Sequence, residues 1–159
     1  MPTYFITWTT RGTRLAGDPR GSVDEDHRTP GKPLADVNPR RVAAVRSRLK
    51  HPPLILSSSQ RQLLDRTIQE HCIFRGWSLH ALNVRTNHIH VVLTASDPPE
   101  TVMQKLKIRC TLILNEHGHN TPKPWTDHGS TRWIDSEGSL QLAIRYVMEI
   151  QDKPRFTTN

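Results

Sequence analysis

The chain has no apolar run approaching the roughly 18–20 residues that a membrane helix needs, and it starts with neither a basic leader nor an apolar signal core. These absences argue against a helical membrane protein and set the expectation of a cytoplasmic one. Cysteine is scarce too. With only Cys72 and Cys110 in 159 residues, a disulfide framework is excluded, and the apolar helical setting of each residue marks it as a buried free thiol. Tyrosine occurs only twice, at Tyr4 and Tyr146, so chemistry that needs a phenol has few places to reside. There is no repeat of solenoid type.

Basic residues are in excess. The net charge of +7 and a pI near 10.0 favour polyanionic partners through counterion release, nucleic acid first among them. The excess is local. Between Thr9 and Lys50 ten Lys and Arg residues, including Arg11, Arg14, Arg40 and Arg41, stand against five acids. The same stretch holds Gly12, Gly17, Pro19, Gly21, Pro30, Gly31, Pro33 and Pro39, which break regular structure. A single domain over residues 1–159 is expected, carrying a basic Gly/Pro-rich insertion at about 10–53 that contacts phosphates.

Around that insertion the pattern is regular. Thr3–Thr9, rich in β-branched and aromatic residues, predicts a strand. Ser57–Arg75 predicts a helix with Leu63, Leu64, Thr67, Ile68, His71 and Cys72 on one stripe, serines as N-caps and Gly76 as its stop. Trp77–Arg85 and Ile89–Thr94 predict two strands joined by a turn at Thr86–Asn87. Pro98–His117 predicts a second helix with Val102, Met103, Leu106, Cys110, Ile113 and Leu114 inward, and with Lys105, Lys107 and Arg109 toward its polar sides. Ser130–Ile134 predicts a short strand, and a last helix is expected over Glu137–Asp152, capped by Asp135 or Ser136. The first six elements follow a split βαβ plan, α+β and ferredoxin-like: four antiparallel strands with two helices on one face.

Two features carry chemistry. In Asn87-His88-Ile89-His90 the alternation of a strand puts His88 and His90 on one face, about 7 Å apart along the chain, where both imidazoles can converge on one divalent ion. A bare HxH is also common on solvated sheets, so its surroundings matter. In the last helix Leu140, Ala143, Ile144 and Val147 form the buried stripe, and Tyr146 sits about 100° away on its shoulder, where a hydroxyl stays accessible. Lys105 and Arg109 are candidate phosphate contacts. Of the four tryptophans, Trp125 in its polar surroundings is the one expected to be exposed and able to stack on bases.

The order of Tyr4-Phe5-Ile6-Thr7-Trp8, the segment from Gly12 to Asp24, Arg75-Gly76-Trp77, Asn87-His88-Ile89-His90-Val91-Val92 and Tyr146-Val147-Met148-Glu149-Ile150-Gln151 resembles the REP-associated tyrosine transposases. These are relatives of insertion-sequence transposases with an HUH histidine pair and one tyrosine. The resemblance spans nearly the whole chain. It implies a ferredoxin-like fold and an enzyme that cuts and rejoins single-stranded DNA near hairpins through a 5′-phosphotyrosine intermediate. It further implies Mg²⁺ or Mn²⁺ as cofactor, His88 and His90 as metal ligands and Tyr146 as nucleophile. A homodimer is left open.

One departure stands out. Four residues beyond the tyrosine the family commonly has Gln or Asn as a further ligand, and here Ile150 cannot ligate. On a regular helix Glu149 lies about 60° from Tyr146 and Gln151 about 140° away, which favours Glu149, whereas a π-bulge would favour Gln151. A domesticated, non-catalytic DNA-binding protein of the same fold is the alternative, and a metal-dependent nuclease using water a more distant one.

Overall fold

The computed structural model describes residues 1–12 and 52–150. The elements are β1 (Thr3–Thr10), α1 (Ser58–Arg75), β2 (Ser78–Val84), β3 (His88–Thr94), α2 (Pro99–Glu116), β4 (Trp125–Ile134) and α3 (Glu137–Arg145), with a π-helical turn at Tyr146–Ile150. The four strands form one antiparallel sheet in the order β2-β3-β1-β4. This is the expected ferredoxin-like arrangement, with α1 and α2 on one face and α3 on the other. Among the described residues no helix is long and apolar enough to cross a membrane.

Period-2 alternation in the two central strands divides the molecule. Tyr4, Ile6 and Trp8 of β1 and Ile89, Val91 and Leu93 of β3 are buried in a core with Leu63, Leu64, Ile68 and Cys72 of α1 and Val102, Leu106, Cys110 and Leu114 of α2. Both cysteines are free and buried there, and burial raises both thiol pKa values, that of Cys72 to about 11. The helix boundaries have local causes. Ser57 and Gln60 form a reciprocal capping box at the start of α1, and Gly76 ends it in a left-handed conformation at φ 72°.

Most boundaries shift by a single residue from the sequence expectation, and the differences at β4, β3 and the last helix bear on the site. β4 begins at Trp125 rather than Ser130, because a bulge at Thr126–His128 opposite Thr9 interrupts the strand pattern. β3 begins at His88, so the first histidine is already in the ladder, paired with Thr9. The last helix is α-helical only to Arg145 and then widens into the π turn, while residues 151 and 152 lie outside the described part. Lys107 also differs. Instead of facing a polar side it is buried, and its Nζ donates to the carbonyls of Thr126 at 2.9 Å and His128 at 3.4 Å, so it pins the bulge.

Close approach of β1 and β4 depends on Gly129. A Cβ there would lie 2.5 Å from the Thr7 carbonyl oxygen and 2.6 Å from Met103 Sδ, closer than packed atoms tolerate. Gly129→Ala is therefore expected to destabilise the fold by about 1–3 kcal/mol, measured as a shift in urea midpoint. An unchanged midpoint would show that the two strands separate freely.

Candidate active site

The face not covered by α1 and α2 carries the candidate site, and the strand register builds it. On β3 the side chains of His88, His90, Val92 and Thr94 share this face, with Phe5 and Thr7 beside them on β1 and Ala81 and Asn83 beside them on β2. His90 pairs in register with Thr7 on one side and Asn83 on the other. Both imidazoles are oriented by neighbours. Thr7 Oγ1 lies 2.7 Å from His90 Nδ1, and Asn87 Oδ1 lies 2.6 Å from His88 Nδ1. The ring centroids of His88 and His90 are 4.7 Å apart, so the rings lean together from their backbone spacing of about 7 Å.

The last helix reaches this face because β4 ends at its edge. Ser136 caps α3 by accepting from Ser139 N at 3.1 Å. From there Leu140, Ala143, Ile144 and Val147 pack over Phe5, Ala81, Val92 and Ile134, which is the stripe expected from the sequence. Val147 is fully buried, and its carbonyl accepts from Asn83 Nδ2 at 3.0 Å. Tyr146 is thereby left half-buried at the rim. Its ring centroid is 5.9 Å from that of His90 and 6.0 Å from that of Phe5, so the phenol and the histidine pair meet in space from distant parts of the chain.

The remaining candidates are dispersed. Glu149 is exposed and its carboxylate accepts from Arg145 Nε at 3.2 Å. The helix takes a π turn over Tyr146–Ile150, and Gln151 lies outside the described residues, as do Arg14, Arg40 and Arg41. Among the described residues no three His, Cys, Asp or Glu side chains cluster to hold a metal. Arg11 braces the ends of the insertion, its Nε donating to Pro52 O at 2.9 Å and its guanidinium to Pro122 O at 2.7 Å. Lys105, ion-paired with Asp97 at 3.3 Å, and Arg109 lie on α2, on the side of the sheet away from the histidines.

Trp125 corrects the expectation of an exposed base-stacking ring. Its Nε1 donates to Lys107 O and Thr111 Oγ1, both at 3.1 Å, and its ring packs edge-on against Trp8. The exposed tryptophan is Trp133, at 66%. Asn83 and Thr7 were not singled out in the sequence, since only strand pairing places them beside His90. Arg61 and Arg66 of α1 also escaped notice. They flank a cleft of about 310 Å³ that Asn83 helps to line at the β2 edge.

The fold and site together define a ferredoxin-like α+β domain whose open face presents an HxH pair to a tyrosine on the last helix. No protein-family model and no curated protein sequence matches the chain. Among solved structures it is similar to a REP-associated tyrosine transposase bound to a REP hairpin, at 15% identity and a TM-score of 0.54, covering 92% of this chain and 64% of that one. The chain thus spans less than two thirds of that protein, and the likeness is one of fold. A candidate transposase from Deinococcus radiodurans R1 matches at 15% identity with a TM-score of 0.47, over 89% of this chain and 86% of that one, too loosely to bear on the fold.

Proposed function

We propose that this protein is a single-strand DNA transferase of the tyrosine-transposase kind, cleaving and rejoining DNA near hairpins. The observation that carries this reading is the approach of the Tyr146 ring to within 5.9 Å of His90 across the open sheet face. Apolar packing alone does not require a phenol at that rim, beside two imidazoles oriented by hydrogen bonds at Nδ1.

The two imidazoles are a partial donor set for a divalent ion. His88 and His90 would hold it through the nitrogens opposite their oriented ones, and two imidazoles suit Mn²⁺ better than the oxygen-seeking Mg²⁺. Such an ion, when bound, polarises the non-bridging oxygens of a phosphate. The protein supplies the rest. Tyr146 Oη attacks phosphorus and loses its proton, a new oxygen–phosphorus bond joins the strand's 5′ end to the tyrosine, and the bond to the departing 3′ oxygen breaks as that oxygen gains a proton. Phosphodiester energy is retained in the intermediate, so reversal on a second 3′-hydroxyl rejoins DNA without ATP.

Tyr4 does not compete for the role. It is 1% exposed on the helix-covered side, its hydroxyl donates to Asp97 O at 2.9 Å, and its pKa is raised by burial and then by the charges of Glu100 and Asp97. Basic residues to hold the strand's phosphates are available in Arg61 and Arg66, which line the cleft shared with Asn83, and in the sequence of the basic insertion. If about four phosphates of a single strand are neutralised, affinity should fall roughly 50-fold between about 50 and 200 mM salt. Fluorescence anisotropy with a labelled hairpin oligonucleotide checks this, and an affinity indifferent to salt would contradict a phosphate-tracking surface.

A non-catalytic DNA-binding protein is the second reading, favoured by Ile150 and by the pairing of Glu149 with Arg145. The two readings separate on denaturing electrophoresis after incubation with DNA and Mn²⁺ or Mg²⁺. A transferase leaves a covalent protein–DNA band, whereas a binding protein leaves none.

A further inference from the structure

We propose that Asn83 is a positioning residue that sets the place of Tyr146 relative to the histidine pair, an inference that rests on the transferase reading for its catalytic consequence. α3 is nine residues long and none of its own residues is buried. An isolated helix shorter than about 12–15 residues is marginal in water, so its position depends on its contacts with the sheet. Two of them converge just past its end. Val147 packs against Ala81 and Val92, and the Asn83 amide donates to the Val147 carbonyl at 3.0 Å.

The shift to π geometry at Tyr146 changes which amide each carbonyl meets. The Asn83 amide, from the neighbouring strand, donates to the Val147 carbonyl and ties the backbone to the sheet. Register gives the tie its precision. Asn83 is the β2 partner of His90, and Thr7, which orients the His90 ring, is the β1 partner. One row across three strands therefore orients the histidine and anchors the residue next to the tyrosine.

The test uses the full chain with Asn83→Ala, which removes the donor, and Asn83→Gln, which restores one on a longer arm. Amide hydrogen exchange over residues 137–150 should accelerate at least tenfold in Asn83→Ala while β3 stays protected, and Asn83→Gln should recover part of the protection. With saturating hairpin DNA, the single-turnover rate of adduct formation should fall roughly 10- to 100-fold, with DNA affinity within about twofold of the parent. A residue that only stabilised the sheet would expose β3 to exchange as well, and that result would overturn the proposal. So would unchanged exchange over 137–150, or unchanged adduct formation where the parent forms adduct. If the parent itself forms no adduct the transferase reading fails, and the exchange comparison still decides whether Asn83 holds the helix.

Discussion

Tyr146→Phe is expected to fold, to bind hairpin DNA with unchanged affinity and to form no covalent adduct. The substitution removes one hydroxyl and leaves the ring, whose packing against Phe5 and His90 at centroid distances of 6.0 and 5.9 Å is what holds it at the rim. Aromatic pairs of this kind contribute about 0.5–1.5 kcal/mol beyond area burial, and phenylalanine keeps that contribution. Loss of adduct should therefore be complete while the thermal midpoint barely moves. Retained adduct would require another nucleophile, and the one other tyrosine is sequestered on the far face with its hydroxyl donating to Asp97.

His88→Ala and His90→Ala are each expected to lower the adduct rate by roughly 10²–10³-fold or more, because on the proposed reading either change would remove half of the donors for the ion. Single-turnover kinetics over a Mn²⁺ titration measures the loss. The two changes should differ in their effect on stability. His90 is 7% exposed, hydrogen-bonded to Thr7 and stacked edge-on against Phe5, so its truncation leaves a void and an unpaired hydroxyl. His88 is more exposed, and its truncation should be nearly neutral for folding. DNA affinity should be retained in both. Equal activity with and without the imidazoles would mean that the histidine pair is a structural feature of the sheet.

How much of this was legible in the sequence follows from which interactions are local. The strands β1 and β3, the helices α1 and α2 and the inward stripe of each were readable because their periodicity is a property of neighbouring residues. The same holds for Ser57 and Gly76 as caps and for His88 and His90 sharing a face. The stripe of α3, and hence Tyr146 at its shoulder, was readable for the same reason. The early start of β4 was hidden because Lys107, distant in sequence, holds the bulge at Thr126–His128 in place. That same contact makes Lys107 a buried residue on a helix where its neighbours Lys105 and Arg109 are not. Trp125 was misjudged on its polar flanks, since the residues that bury it come from α2 and β1. Thr7 and Asn83 could be found only from register. The choice between Glu149 and Gln151 depends on whether the last helix widens; the structure contains a π turn at Tyr146–Ile150, and Gln151 lies outside the described residues.

The central claim is that Tyr146 and the histidine pair form one strand-transfer site. The most direct measurement is to incubate the full chain with 3′-labelled single-stranded hairpin DNA and Mn²⁺, denature the mixture, digest it with protease and map the nucleotide-bearing peptide by mass spectrometry. The expected result is a metal-dependent adduct on the peptide containing Tyr146, linked to the 5′ phosphate of the labelled fragment. Cleaved DNA with no adduct, or an adduct on any other residue, would contradict it.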